Sequence, residues 1–171
     1  QCGRASGIAQ KIAEQGHAEE IREATGLQLS AYFPAAKMAW LLRNGGEERQ
    51  KRAADGELCL GTIDSWLVYK LTGDHAFKTD FSNASRTQLF NLKTLAWDEK
   101  ICEMFGIPVC ALARVCDSDA VYGTTTMEGL FSEPVPICGV LGDSHAALFG
   151  QGCLKPGMIK ATSVSYTHLR A

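Results

Sequence analysis

The 171-residue sequence carries 17 basic and 19 acidic side chains, a net charge of −2, with 46% hydrophobic and 21% charged residues. That balance is ordinary for a soluble globular chain and argues against a nucleic-acid surface; the densest basic stretch, Arg43 to Arg52, is broken by Glu47 and Glu48 and reads as a solvated helix face. No apolar run approaches the roughly 18 residues of a membrane span, and the opening "QCGRASGIAQ" has neither a signal-peptide core nor an initiator Met. A cytoplasmic segment of a longer protein is the expectation, with no nucleic-acid or membrane partner.

In chain order, Ile8, Ile12, Ala13, Ile21 and Ala24 recur at helical spacing over 4–24, with an interruption at Gly16 and a left-handed stop at Gly26. A second helix is predicted from Pro34, a residue suited to the first turn, to the Gly45-Gly46 pair. A short charged helix follows from Glu47 to Ala54, closed by Asp55-Gly56. Thr62 is the expected N-cap of the next helix, with Asp64 in its first turn and "TGD" at 72–74 as its end. Trp97-Asp98 opens another, running through Phe105 to Gly106. "VPICGVLG", from Val135 to Gly142, is continuously apolar and predicts a central strand covered on both faces. Helix outweighs sheet, and the class is α/β.

Seven cysteines, at 2, 59, 102, 110, 116, 138 and 153, form no CxxC pair. An odd, scattered set predicts neither a disulfide framework nor a zinc site, so reduced thiols packed as small hydrophobes are expected, and no metal site.

Asp143 interrupts this pattern. It lies between the apolar run Val135–Leu141 and the helix-like "SHAALFG", so it is predicted to sit at the carboxyl end of a buried strand and beside a helix N-terminus. Ligands of open α/β sheets bind outside strand carboxyl ends, and helix N-termini favour anions. The residue types allow three roles: helix cap, general base or metal ligand.

"YFPAAKMAWLLRN", residues 32–44, resembles the first signature of the FGGY family of carbohydrate kinases. Tyr32, Pro34, Lys37, Met38, Trp40, Leu41, Arg43 and Asn44 satisfy its constrained positions. Three further blocks extend the resemblance through about residue 162. "GTIDSWLVYKLTGD" is similar to the family's "GTIDTWL…KLTGG". "TDFSNASRTQLFN" is similar to "TDYTNASRTMLFN", and "GDSHAALFGQ" to "GDQQAALFGQ". All three favour the glycerol-directed branch.

The resemblance implies an actin-like, ribonuclease-H-like fold: residues 1–152 as the later part of a kinase's first domain, 153–162 as the start of the link to the second, and 163–171 as a non-native tail. It implies ATP-dependent phosphorylation of a small polyol, glycerol first, with ATP and Mg2+ held mostly by segments outside this sequence. Asp143 becomes the general base, set in an apolar cleft and touching the substrate. Tyr32 becomes a polyol contact, Ser144 a substrate contact where the glycerol-directed branch has Gln, and Thr162 a contact to the nucleotide phosphates.

Ser144 leaves a ketopentose kinase as the alternative, and a catalytically silent sugar-sensing or partner-binding homologue is the alternative from a different class. Arg86 favours the glycerol branch, a surface ion pair being its other explanation, and His145 is expected on a helix surface or bonded in the core. Homo-oligomerisation of a full-length protein is left open.

Overall fold

A computed structural model describes residues 3–161; Thr162 and the expected tail at 163–171 lie outside the described residues. The chain forms two compact units, Gln1–Val140 and Leu141–Ala171.

The first unit is built on helices. After a turn of 3-10 helix at Gly3–Ala5 come α1 (Ser6–Glu14) and α2 (Ala18–Thr25), separated at Gly16. Ile8, Ala9 and Ile12 of α1 share one buried stripe, as a period of 3.6 residues requires. Gly26 ends α2 at φ +71°, the left-handed position that glycine takes without a Cβ penalty. Next, α3 (Pro34–Asn44) begins with Pro34 at its first position and buries Ala35, Ala36, Met38, Ala39 and Leu42. Its small residues let α1 and the charged α4 (Gly46–Ala54) approach closely.

The helix α5 spans Ile63–Leu71 and α6 Phe81–Ala84. In α7 (Glu99–Phe105), Asp98 caps the start by accepting from Ile101 N at 3.1 Å, and Gly106 closes the end at φ +70°. The core joins Ile8, Ile12, Ile21, Leu42, Leu89, Ile101 and Phe105. Phe105 is fully buried, so Phe105→Ala is expected to destabilise the unit by about 3–5 kcal/mol, read as a lower urea midpoint at unchanged m-value.

Strands are short and paired in twos. Parallel β1 (Lys78–Asp80) and β4 (Arg114–Cys116) pair Thr79 with Val115, and a parallel bridge joins Leu60 to Leu112. Antiparallel pairs are β2 (Phe90–Asn91) with β3 (Ala96–Trp97), and β5 (Gly123–Thr125) with β6 (Val135–Ile137).

Here three expectations are corrected. The predicted central strand is only β6, a three-residue antiparallel partner of β5, with Val135 45% exposed. An apolar run states that a segment suits burial, but the described residues place only β5 beside it. Thr62 does stand at the N-cap of α5, but its hydroxyl donates to Asp64 Oδ1 at 2.5 Å instead of accepting from the backbone. Of the cysteines, Cys102 is buried, while Cys59, Cys110 and Cys138 are exposed. Burial, then the nearby Asp98 and Glu99 carboxylates, push the Cys102 thiol up to about 12, so it stays protonated and unreactive.

The second unit contains α8 (Asp143–Gly150), none of whose side chains is buried. Phe149 is 70% exposed and Ile159 88%. With so little burial, α8 amides are expected to exchange hydrogen at least about tenfold faster than those of Ala35–Leu42 in this chain, measured by mass spectrometry after brief deuteration. No helix among the described residues is long and apolar enough to cross a membrane.

Candidate functional site

In the first unit the chemistry-bearing residues gather around the start of α3. Tyr32 lies in the turn before Pro34, 61% exposed, so its ring and hydroxyl face solvent. Its backbone is held from both sides. Tyr32 N donates to Ser30 Oγ at 3.1 Å, and Lys37 Nζ donates to Tyr32 O at 2.7 Å. The same ammonium stands 5.8 Å from the Tyr32 ring centroid, and Phe33 meets that ring edge-on at 5.2 Å.

Arg86 caps the other side, its guanidinium 5.2 Å over Phe33. Among the described residues it makes no ion pair and stacks on this aromatic face. Ala35 N donates to Thr87 O at 3.0 Å, which fixes the 82–88 segment against the first turn of α3. Farther along α3, Arg4 covers Trp40 at 5.2 Å, and a cavity of about 210 Å³ lies between Arg4, Lys37, Trp40 and Leu41. A larger cavity of about 510 Å³, lined by Cys59, Thr62, Ser65, Trp66 and Phe77, contains none of the expected catalytic or substrate-binding residues.

Elsewhere in this unit Asp80 is fully buried at the end of β1. Its Oδ2 accepts from Ser82 N at 3.0 Å, Ser82 Oγ at 2.5 Å and Ser118 Oγ at 2.6 Å. Its Oδ1 accepts from Asn83 N at 3.0 Å and Asn83 Nδ2 at 2.7 Å. Burial raises the Asp80 pKa, but the bonds from Ser118, Ser82 and Asn83 outweigh it and hold the carboxyl below the ordinary carboxylate value. With every lone pair engaged, Asp80 is a structural anion that starts α6 and ties β1 to the Ser118 loop. Beside it, Thr79 Oγ1 donates to Asp64 Oδ2 at 2.5 Å and links β1 to α5.

Sequence reasoning singled out Arg86 from "TDFSNASRT" and passed over Asp80. The available signal was an Asp with Ser and Asn two and three residues on, the pattern of a helix start.

In the second unit, Asp143 is the first residue of α8, with Gly142 at the N-cap. The adjacency to a helix start is as expected; the burial is not. Asp143 is exposed in its unit, and β6 ends six positions earlier in the sequence. Ser144 N donates to Asp143 Oδ1 at 2.6 Å, and no bond to Oδ2 is made among the described residues. Ser144 is exposed and His145 half-buried. Thr162 lies outside the described residues.

Residues 1–150 match the FGGY family of carbohydrate kinases, N-terminal domain. The chain belongs to that family. It is 49% identical over 162 residues to a glycerol kinase of Pseudothermotoga lettingae, an alignment covering 95% of this chain and 32% of that protein. Among solved structures, glycerol kinase of Plasmodium falciparum with ADP superposes at a TM-score of 0.80 and 31% identity, over 87% of this chain and 29% of that one. A ligand-bound xylulose kinase of Lactobacillus acidophilus does so at 0.70 and 25% identity, over 86% and 30%.

This FGGY chain thus spans about a third of the length of the curated relatives it matches. Its fold is the actin-like, ribonuclease-H-like α/β arrangement of these kinases, present in part. Among the described residues no group of three His, Cys, Asp or Glu side chains gathers to hold a metal ion.

Proposed function

We propose that the protein to which this chain belongs phosphorylates a small polyol with ATP, glycerol to glycerol 3-phosphate. The observation that carries the reading is the 49% identity to a glycerol kinase across 95% of this chain, which includes the Asp143 and Tyr32 segments. In the reaction, Asp143 Oδ2 accepts the proton of the substrate hydroxyl as its oxygen attacks the γ-phosphorus; the bond to the β,γ-bridging oxygen breaks and ADP leaves. A carboxylate held through Ser144 N on one oxygen, with no bond to the other among the described residues, is suited to that task, since alignment and charge placement supply most of the rate in such transfers.

The Tyr32 hydroxyl contacts the polyol, its backbone fixed by Lys37 and Ser30. Ser144 lines the substrate, and Thr162 has the role of a nucleotide-phosphate contact. Mg2+ is expected with the nucleotide, but the described residues offer it no ligand set, and no step is assigned through it. Residues 1–152 act as the later part of the first domain and 153–162 as the link, in a cytoplasmic enzyme.

Ser144, standing where the glycerol-directed branch carries Gln, favours a ketopentose as the second reading, because a shorter side chain leaves more room for substrate. The test is ADP release by the full-length kinase with glycerol, xylulose, erythritol and dihydroxyacetone side by side. The highest kcat/KM with glycerol supports the reading. A ketose winning would transfer the assignment to Ser144's wider pocket, and no turnover with any of them would indicate a silent homologue.

A further inference from the structure

Gln88 is fully buried, yet only half of its amide is satisfied. Its Nε2 donates to Gln28 O at 2.6 Å, across 60 residues of sequence. Its Oε1 has no hydrogen-bond partner among the described residues. Its backbone also holds φ +67°, in the left-handed region that side chains other than glycine and asparagine rarely adopt. The family block quoted above carries methionine at this place, a residue of similar length with neither polar atom. Packing alone therefore does not call for an amide in this position. What the amide supplies is a grip on the Gln28 carbonyl.

That carbonyl lies midway along 26–33, the segment between α2 and α3 that ends at Tyr32 and Phe33. Within the segment Tyr32 N donates to Ser30 Oγ at 3.1 Å and Phe33 N to Ser30 O at 3.3 Å, and Leu29 and Ala31 pack against the core; further bonds lie toward its ends. Leu92 N donates to Ala24 O at 2.9 Å, Leu27 N to Thr25 Oγ1 at 3.2 Å, and Lys37 Nζ to Tyr32 O. Thr87, next to Gln88, accepts from Ala35 N at 3.0 Å. Residues 87 and 88 thus hold the chain on both sides of Tyr32.

We propose that Gln88 is a positioning residue for the polyol: its bond to Gln28 O keeps the 26–33 segment in the one arrangement that presents Tyr32 to the substrate. The proposal rests on the reading of Tyr32 as a polyol contact. If the bond is lost, the competent arrangement of the segment is less populated, and the apparent affinity falls by that fraction while the chemical step is unaffected.

The experiment uses the full-length kinase with Gln88→Met, Tyr32→Phe and the double substitution. Gln88→Leu, equally unable to donate, is the second variant should the methionine form accumulate poorly. In Gln88→Met, amides of 26–33 are expected to exchange about fivefold faster, and KM for glycerol to rise about fivefold with kcat within about twofold. Tm should stay within about 3 °C, because losing one bond and removing one orphan acceptor oppose each other. In the Tyr32→Phe background the same substitution should no longer change KM.

Unchanged exchange across 26–33 would overturn the clamp, and faster exchange with unchanged KM would overturn its coupling to substrate. A KM effect undiminished in the Tyr32→Phe background would also overturn it, since Gln88 would then act elsewhere. Tyr32→Phe alone leaving KM unchanged would instead remove the polyol contact on which the proposal rests, and the hydrogen-exchange result would separate that failure from a failure of the clamp.

Discussion

Asp143→Asn in the full-length kinase is expected to lower kcat by about a thousandfold, with the KM for the polyol within a few fold and Tm unchanged. The separation of these quantities follows from local geometry. Asp143 is exposed at the start of α8, so exchanging it releases no buried volume. Its Oδ1 accepts from Ser144 N, a bond that the amide oxygen of Asn keeps. What Asn cannot do is take a proton at the second position. The helix start therefore survives and the base does not. Steady-state ADP release and a thermal melt of both proteins make the check. A kcat within about tenfold of the parent would reduce Asp143 to a residue that favours a helix N-terminus by its charge alone.

Asp80→Ala has the opposite signature, a loss of folding rather than of chemistry. The substitution removes the acceptor that the N–H groups of Ser82 and Asn83 and the hydroxyls of Ser82 and Ser118 share. Donors buried without an acceptor are costly, and the loss is expected at about 3–4 kcal/mol, measured by urea unfolding. Asp80→Asn should cost less, since one amide oxygen still accepts.

The same carboxylate predicts the acid limb of stability. Its folded pKa lies below the ordinary value of 3.8, so folding favours the ionised form. The stabilisation is complete above that ordinary value and is lost as pH falls through the lower folded one. Unfolding free energy should therefore drop more steeply below about pH 4 in the parent than in Asp80→Asn, and the gap between the two should be constant above about pH 5. A constant gap down to pH 2 would mean that Asp80 titrates alike in the folded and unfolded chain.

The helices were legible for local reasons. Gly26 and Gly106 mark helix ends because a left-handed residue is needed there, and Pro34 marks a start because its missing N–H is an orphan at that position in any case. The stripe Ile8–Ile12 repeats at the helix period and meets the core as that period requires. Such features depend on residues within one or two turns, and a one-dimensional reading holds them all. The FGGY motifs are legible for the same reason, being short and contiguous.

The strands were not. Thr79 pairs with Val115 and Leu60 with Leu112, partners dozens of residues apart that no local pattern announces. The reverse error occurred at Val135–Gly142, where an apolar run suggested a covered central strand and the described residues place β5 alone beside three of its members. Burial is a relation between a segment and its neighbours, so hydrophobicity states only a demand.

By itself the sequence determined the helix limits, the family, and the identity of Asp143 and Tyr32 as the residues to test. Tertiary structure decided what surrounds them. It left Asp143 exposed, drew Arg86 over Phe33, engaged every oxygen of Asp80, and brought Gln88 to the carbonyl of a residue 60 positions away. The Arg86–Phe33, Ser118–Asp80 and Gln88–Gln28 contacts join distant parts of the chain, and their free energy depends on distance and desolvation in the folded state rather than on either residue alone.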